Sequence, residues 1–108
     1  KYRYGGNTKD GTDCSGLVSQ LYMKVYDKKL QRNSARMFEK DCKEIKRKQL
    51  QEGDLVFFSS SSRKSKINHV GLYLVDGKFV HAGSKGVVID SLSARYYDKH
   101  YVASGRVK

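Results

Sequence analysis

The sequence predicts an α+β fold, with helices first and a mostly antiparallel sheet after them. Two observations carry this reading. Apolar residues in the first forty-odd positions recur at helical spacing, with Cys14, Val18, Leu21 and Val25 at i, i+4, i+7 and i+11. From Leu55 onward the apolar residues fall instead in short runs separated by turn residues, and Asp76-Gly77 between two such runs is a hairpin signal.

Taken in order, Tyr2 and Tyr4 alternate with Arg3 before Gly5-Gly6-Asn7 breaks the pattern, so the chain starts extended and enters a loop. A helix is expected from the Cys14 turn to about Tyr26, where Asp27-Lys28-Lys29 ends it. Thr12 or Asp13 can cap it. Ser34 reads as the N-cap of a second helix carrying Met37, Phe38, Cys42 and Ile45. On that spacing Cys42 is a packing residue. Leu50 to Asp54 is a turn into the strand Leu55-Val56-Phe57-Phe58, and the serine-rich stretch after Phe58 is a polar mobile loop. Ile67 to Val75, Lys78 to Ala82, Val87 to Ile89 and Tyr101 to Ala103 are the remaining expected strands.

At 108 residues the chain is expected to form one domain, residues 1–108. Lysine and arginine number 22 against 11 acidic residues, a net charge of +11 that attracts polyanions without choosing among them. The density at Lys43 to Lys48 reads as a solvated face. None of the nucleic-acid recognition signatures is present, so no nucleic-acid partner is expected. No apolar run approaches the ~18 residues of a membrane span. The chain contains no signal peptide, yet it opens directly on Tyr2-Arg3-Tyr4-Gly5-Gly6, so this is weak evidence for a cytosolic home. Two cysteines allow one disulfide at most. Without a CxxC or a Cys/His cluster, no metal and no cofactor are expected.

The chemistry centres on Gly11-Thr12-Asp13-Cys14-Ser15-Gly16, where a polar loop turns into the first helix. A cysteine in a helix's first turn meets the positive end of the dipole, which favours thiolate over thiol. A thiolate there is a nucleophile in need of a base. His69 begins one hairpin strand and His81 lies near the end of the other. A two-residue Asp76-Gly77 turn puts the two histidines on opposite faces. A three-residue Val75-Asp76-Gly77 loop places His81 opposite Gly71, diagonal to His69 and within side-chain reach. Under that condition, or with a bulge in its place, Cys14, His69 and His81 form a nucleophile, a base and a group that orients the base. His69 takes the Cys14 proton or holds it as an ion pair; His81 accepts from the other His69 nitrogen and fixes its tautomer. His100 has no evident partner and is read as surface.

Five blocks then resemble, in order, the NlpC/P60 cell-wall peptidases. They are Tyr2-Arg3-Tyr4-Gly5-Gly6, Asp13-Cys14-Ser15-Gly16, Gly53-Asp54-Leu55-Val56-Phe57-Phe58, Asn68-His69-Val70-Gly71-Leu72-Tyr73 and Phe79-Val80-His81-Ala82. The resemblance implies a papain-like α+β fold with catalytic Cys14, His69 and His81. By the same match Tyr2 lies near the oxyanion site, and Asp13 and Ser15 contact the stem peptide. It implies hydrolysis of a peptidoglycan stem peptide, at the D-γ-glutamyl–diaminopimelate bond or the D-alanine–diaminopimelate cross-link, by a monomer in the cell envelope, whether periplasmic, lipoprotein-anchored or secreted. The basic surface suits anionic envelope polymers. Two departures stand out. Gln31 replaces the proline of a Leu-Pro-Arg segment, which is expected to loosen that loop, and the family's short leading helix is expected to be missing or trimmed. The competing readings are a thiol acyltransferase or amidase on the same fold, and a non-catalytic wall-binding module.

Overall fold

The computed structural model describes residues 11–60, 66–83 and 86–108, with the side chains of residues 11–13 excepted. The opening segment through residue 10, with Tyr2, and the middle of the serine loop therefore lie outside the described residues. Helix α1 runs Gly11–Tyr26, and a single turn, α2, covers Ser34–Arg36. The strands are β1 Cys42–Ile45, β2 Leu55–Phe58, β3 His69–Tyr73, β4 Lys78–Gly83, β5 Gly86–Ser91 and β6 Tyr101–Val107. A short helix, α3, spans Arg95–His100. The strands form one six-stranded sheet in the order β1-β6-β2-β3-β4-β5, antiparallel at every pair. The expected α+β order is thus observed.

Strand β2 sits well inside the sheet and is buried along its whole length, which explains its unbroken apolar run. Alternation splits its residues between two cores. Leu55 and Phe57 join Val70, Leu72 and Ala82 under α1, with Cys14, Leu17, Val18 and Tyr22 from the helix. Val56 and Phe58 join Phe79 and Leu92 on the other face, with Tyr73, Tyr97 and Tyr101 packed against them. The buried stripe of α1 is therefore Cys14, Leu17, Val18 and Tyr22. Val25, expected on that stripe, is 65% exposed, as are Met23 and Tyr26 beside it in large part, because the last turn no longer covers the sheet.

The second expected helix is corrected. Asn33, not Ser34, is its N-cap, accepting from the Arg36 N–H at 3.0 Å. The helix lasts one turn, widens into a π turn over Met37–Asp41, and gives way to β1. Cys42 begins this edge strand, opposite Val107, rather than continuing a helix. It is nonetheless buried, as expected of a packing residue. The loop before α2 is held at three points. Leu30 is buried, the Gln31 N–H donates to Asp41 Oδ2 at 2.7 Å, and the Arg32 carbonyl accepts from Ser15 Oγ at 2.8 Å. Proline at position 31 has no N–H to donate, so glutamine replaces a fixed φ with a hydrogen bond rather than simply loosening the loop.

The hairpin between β3 and β4 decides where the histidines face. Lys78 N–H donates to the Val75 carbonyl at 3.0 Å, with Asp76 (φ 54°) and Gly77 (φ 78°) both left-handed. The Lys78 carbonyl accepts from Leu74 N–H at 2.8 Å, so Val75 is an extra residue in the turn. Register follows: Tyr73 pairs with Phe79 and Leu72 with Val80. Counting on, Gly71 faces His81, the arrangement the three-residue loop requires. Aspartate and glycine are the residue types that accept these positive φ values.

Candidate active site

Cys14 lies in the first turn of α1 and is 5% exposed. Its Sγ is 2.7 Å from His69 Nδ1 and 4.0 Å from Nε2, with the Ala82 carbonyl at 3.5 Å. By alternation His69 shares a face with Gly71 and Tyr73, the face opposite α1. As the first residue of β3 it stands at the sheet's end, where its ring reaches the sulfur. His69 Nε2 is 2.8 Å from His81 Nδ1, and the two rings meet edge to face at 89°. The diagonal contact foreseen for the three-residue loop is therefore present.

His81 is 1% exposed, clamped between the Phe79 ring (centroids 4.7 Å apart) and the Tyr97 ring (5.3 Å). Its Nε2 is 2.8 Å from Asp90 Oδ2. Sequence reasoning missed Asp90. The signal was the spacing Gly83-Ser84-Lys85-Gly86: pairing Gly83 with Gly86 sets Phe79 against Asp90, which makes Asp90 diagonal to His81.

Burial, and next the charge on His81, push His69 down to about 4. Burial also lowers His81, partly offset by its hydrogen bond to Asp90. Both imidazoles are consequently neutral near pH 7, and His69 stands beside the thiol as a base. The consequence for stability has a definite sign. Both groups bind protons more weakly folded than unfolded, so stability is complete above pH 6.5 and falls as pH drops toward 4. His69 contributes up to about 1.4 kcal/mol per pH unit in that window. Urea midpoints measured from pH 7.5 to 4 should fall below pH 6.5, and a His69→Gln/His81→Gln double variant should lose distinctly less. Equal losses in the two proteins would assign the acid sensitivity elsewhere.

The other expected site residues divide. Tyr2 lies outside the described residues, as does the Asp13 side chain, although Asp13 is in the first turn of α1 with Cys14. Ser15 is 0% exposed and its hydroxyl donates to the Arg32 carbonyl, which ties α1 to the neighbouring loop. His100 is corrected. It is half-buried, its Nδ1 donates to the Ser59 carbonyl at 2.7 Å, and its ring lies 4.2 Å from that of Tyr96. A small cleft of about 90 Å³ beside His69 is floored by Phe58 and walled by Ser59, Ser60, Tyr96, Tyr97 and His100. No disulfide joins Cys14 and Cys42. Among the described residues no three His, Cys, Asp or Glu side chains converge as a metal site.

The chain matches known proteins in both sequence and fold. A family model described as "NlpC/P60 family" matches residues 1–106. The chain is 39% identical over 110 residues to murein DD-endopeptidase MepH of Escherichia coli strain K12, covering 98% of this chain and 40% of that protein. It is 39% identical over 108 residues to murein DD-endopeptidase MepS/murein LD-carboxypeptidase of the same strain, covering 99% and 55%. The chain thus spans about half the length of these relatives. Among solved structures, a lipoprotein-like NLP/P60 family protein of Staphylococcus aureus superposes with a TM-score of 0.76 at 34% identity, over 87% of this chain and 31% of that one.

Proposed function

The chain belongs to the NlpC/P60 family, and from that premise we propose that it is a cysteine endopeptidase of peptidoglycan, working at the cell envelope. One observation carries the reading: Cys14 Sγ, both nitrogens of His69 and His81 Nδ1 form an unbroken chain with links of 2.7 and 2.8 Å. Such a chain supports nucleophilic catalysis through an acyl-enzyme. His69 Nδ1 takes the thiol proton as Sγ attacks the amide carbonyl. His81 holds the His69 ring in line and stabilises the imidazolium that forms. The tetrahedral oxyanion develops at the N-terminus of α1. There the Cys14 backbone N–H and the helix dipole oppose its charge, with the Tyr2 hydroxyl as a second donor. The imidazolium then protonates the leaving amine, and water, deprotonated by His69, releases the acyl group.

Two relatives carry the name murein DD-endopeptidase, which favours the D-alanine–diaminopimelate cross-link over the D-γ-glutamyl–diaminopimelate bond. The net charge of +11 would help hold the enzyme on anionic envelope polymers. No helix among the described residues is long and apolar enough to cross a membrane.

The test is a digest of purified sacculi with products read by mass, run with and without prior alkylation by iodoacetamide. Wild-type protein should release peptides with new amino and carboxyl termini at the cross-link. Alkylation should abolish release while placing a single adduct, on Cys14. Cys42 should stay unmodified, because burial, then the neighbouring Asp41, push its thiol up to about 12. Termini at D-γ-glutamate would move the cut to the other bond. No release from any wall type would leave the wall-binding reading.

A further inference from the structure

We propose that Asp90 is a positioning residue that fixes the direction of every proton in the chain from Cys14 to His81. The argument is a hydrogen-bond count. An aspartate carboxylate accepts and has no proton to give. His81 Nε2, 2.8 Å from Asp90 Oδ2, must therefore be the nitrogen that carries a proton. In a neutral imidazole the other nitrogen, Nδ1, is then a bare acceptor. It lies 2.8 Å from His69 Nε2, which must in turn be the protonated nitrogen of His69. That leaves His69 Nδ1 bare, 2.7 Å from the Cys14 sulfur, the one tautomer that can receive the thiol proton. Reverse the first link and each later one reverses, ending with His69 presenting an N–H to an S–H.

Asp90 is itself well placed to set the order. Tyr97 on α3 stands near the same carboxylate: burial, and next the Asp90 charge, push its hydroxyl up to about 12, so it keeps its proton. The carboxylate on β5 thus meets the His81 ring of β4 directly, with the protonated Tyr97 of α3 near by. The Asp90 side chain is 38% exposed, so its contribution lies in geometry and proton order more than in raw field strength. Its position in the register also matters. Asp90 pairs with Phe79, which puts it two residues along from the partner of His81, as His69 is on the other side. Three neighbouring strands each place one member of the chain on a single diagonal.

The kinetic part of this inference rests on the peptidase reading; the tautomer part does not. The experiment has both arms. Long-range ¹⁵N–¹H spectra of the labelled chain at pH 7.5 report which nitrogen of each histidine carries hydrogen. The expected wild-type result is Nε2–H for both His69 and His81. Asp90→Asn is nearly isosteric, but its amide can donate as well as accept. It should let His81 populate the Nδ1–H form and lower kcat for stem-peptide release by about 10–100-fold with KM within about twofold. Asp90→Ala should do the same, and Asp90→Glu should restore part of the rate. Nδ1–H on wild-type His81 overturns the proposal without any variant. Unchanged tautomers in Asp90→Asn overturn it whether or not the rate falls. Should wild-type protein cut no wall at all, the peptidase reading fails, while the spectra still decide the proton order.

Discussion

Cys14→Ser should slow stem-peptide cleavage by roughly 10⁴-fold or more while leaving the fold unchanged. The substitution is small, and a hydroxyl at that site can still meet His69 Nδ1 and the Ala82 carbonyl, partners of the thiol among the described residues. The chemistry is what changes. An alcohol is several pKa units harder to deprotonate than a thiol. The base offered to it is weak, because burial and His81 hold His69 down to about 4. A base that weak is a poor match for serine and a workable one for cysteine, whose thiolate the N-terminus of α1 also favours. His69→Ala should cost about as much, since nucleophile and base act as a unit. Initial rates of product release from sacculi, beside thermal melts of each variant, check this. A serine variant retaining a tenth of the wild-type rate with an unchanged melt would exclude thiolate attack.

How far the sequence alone could go is clear from particular residues. The apolar run at Leu55 to Phe58 and the helix behind Cys14 were legible because burial enforces pattern directly. The His69–His81 contact was legible only as a condition. The same Asp76-Gly77 signal serves two registers one residue apart, and a one-residue slip moves a side chain to the other face. Here Val75 is the extra residue that selects the register. The second helix was misread because Met37, Phe38 and Cys42 fit a helical stripe, whereas the chain buries them across a π turn and an edge strand, where tertiary pairing with β6 overrides local periodicity. Helix α3 was missed because it is a short run of polar and aromatic residues, Arg95 to His100, with no side-chain cap. With α3 went Tyr97, and with the register of β5 went Asp90. Asp90 depends on the β4–β5 register and Tyr97 on a helix that carries no motif of its own.

Gly71→Ala should lower stability by about 3 kcal/mol, a fall in Tm of roughly 10–20 °C. Gly71 needs no special φ; what it provides is room. A Cβ there would stand 2.6 Å from Phe79 Cδ2 and 3.2 Å from the Val80 carbonyl oxygen. Replacing glycine in a strand ordinarily gains some stability, about 0.5–1 kcal/mol from reduced backbone freedom. The outcome therefore turns on whether Phe79 can yield. It is 0% exposed and wedged among Phe58, Tyr97 and His81, with ring centroids 5.1, 5.1 and 4.7 Å away. The ring has nowhere to go without moving one of them, and the backbone carbonyl cannot move without disturbing the β3–β4 ladder. Overpacking should therefore outweigh the entropic gain. Because His81 is among the displaced rings, cleavage should also fall, by about tenfold, at temperatures where the variant remains folded. The diagnostic is a double variant. Phe79→Leu removes the colliding ring atoms, so Gly71→Ala/Phe79→Leu should be more stable than the sum of the two single losses predicts, with a coupling of 1 kcal/mol or more on the scale expected for direct neighbours. Strict additivity would mean that Phe79 already has room, and that the close approach of β3 and β4 at Gly71 does not set the position of His81.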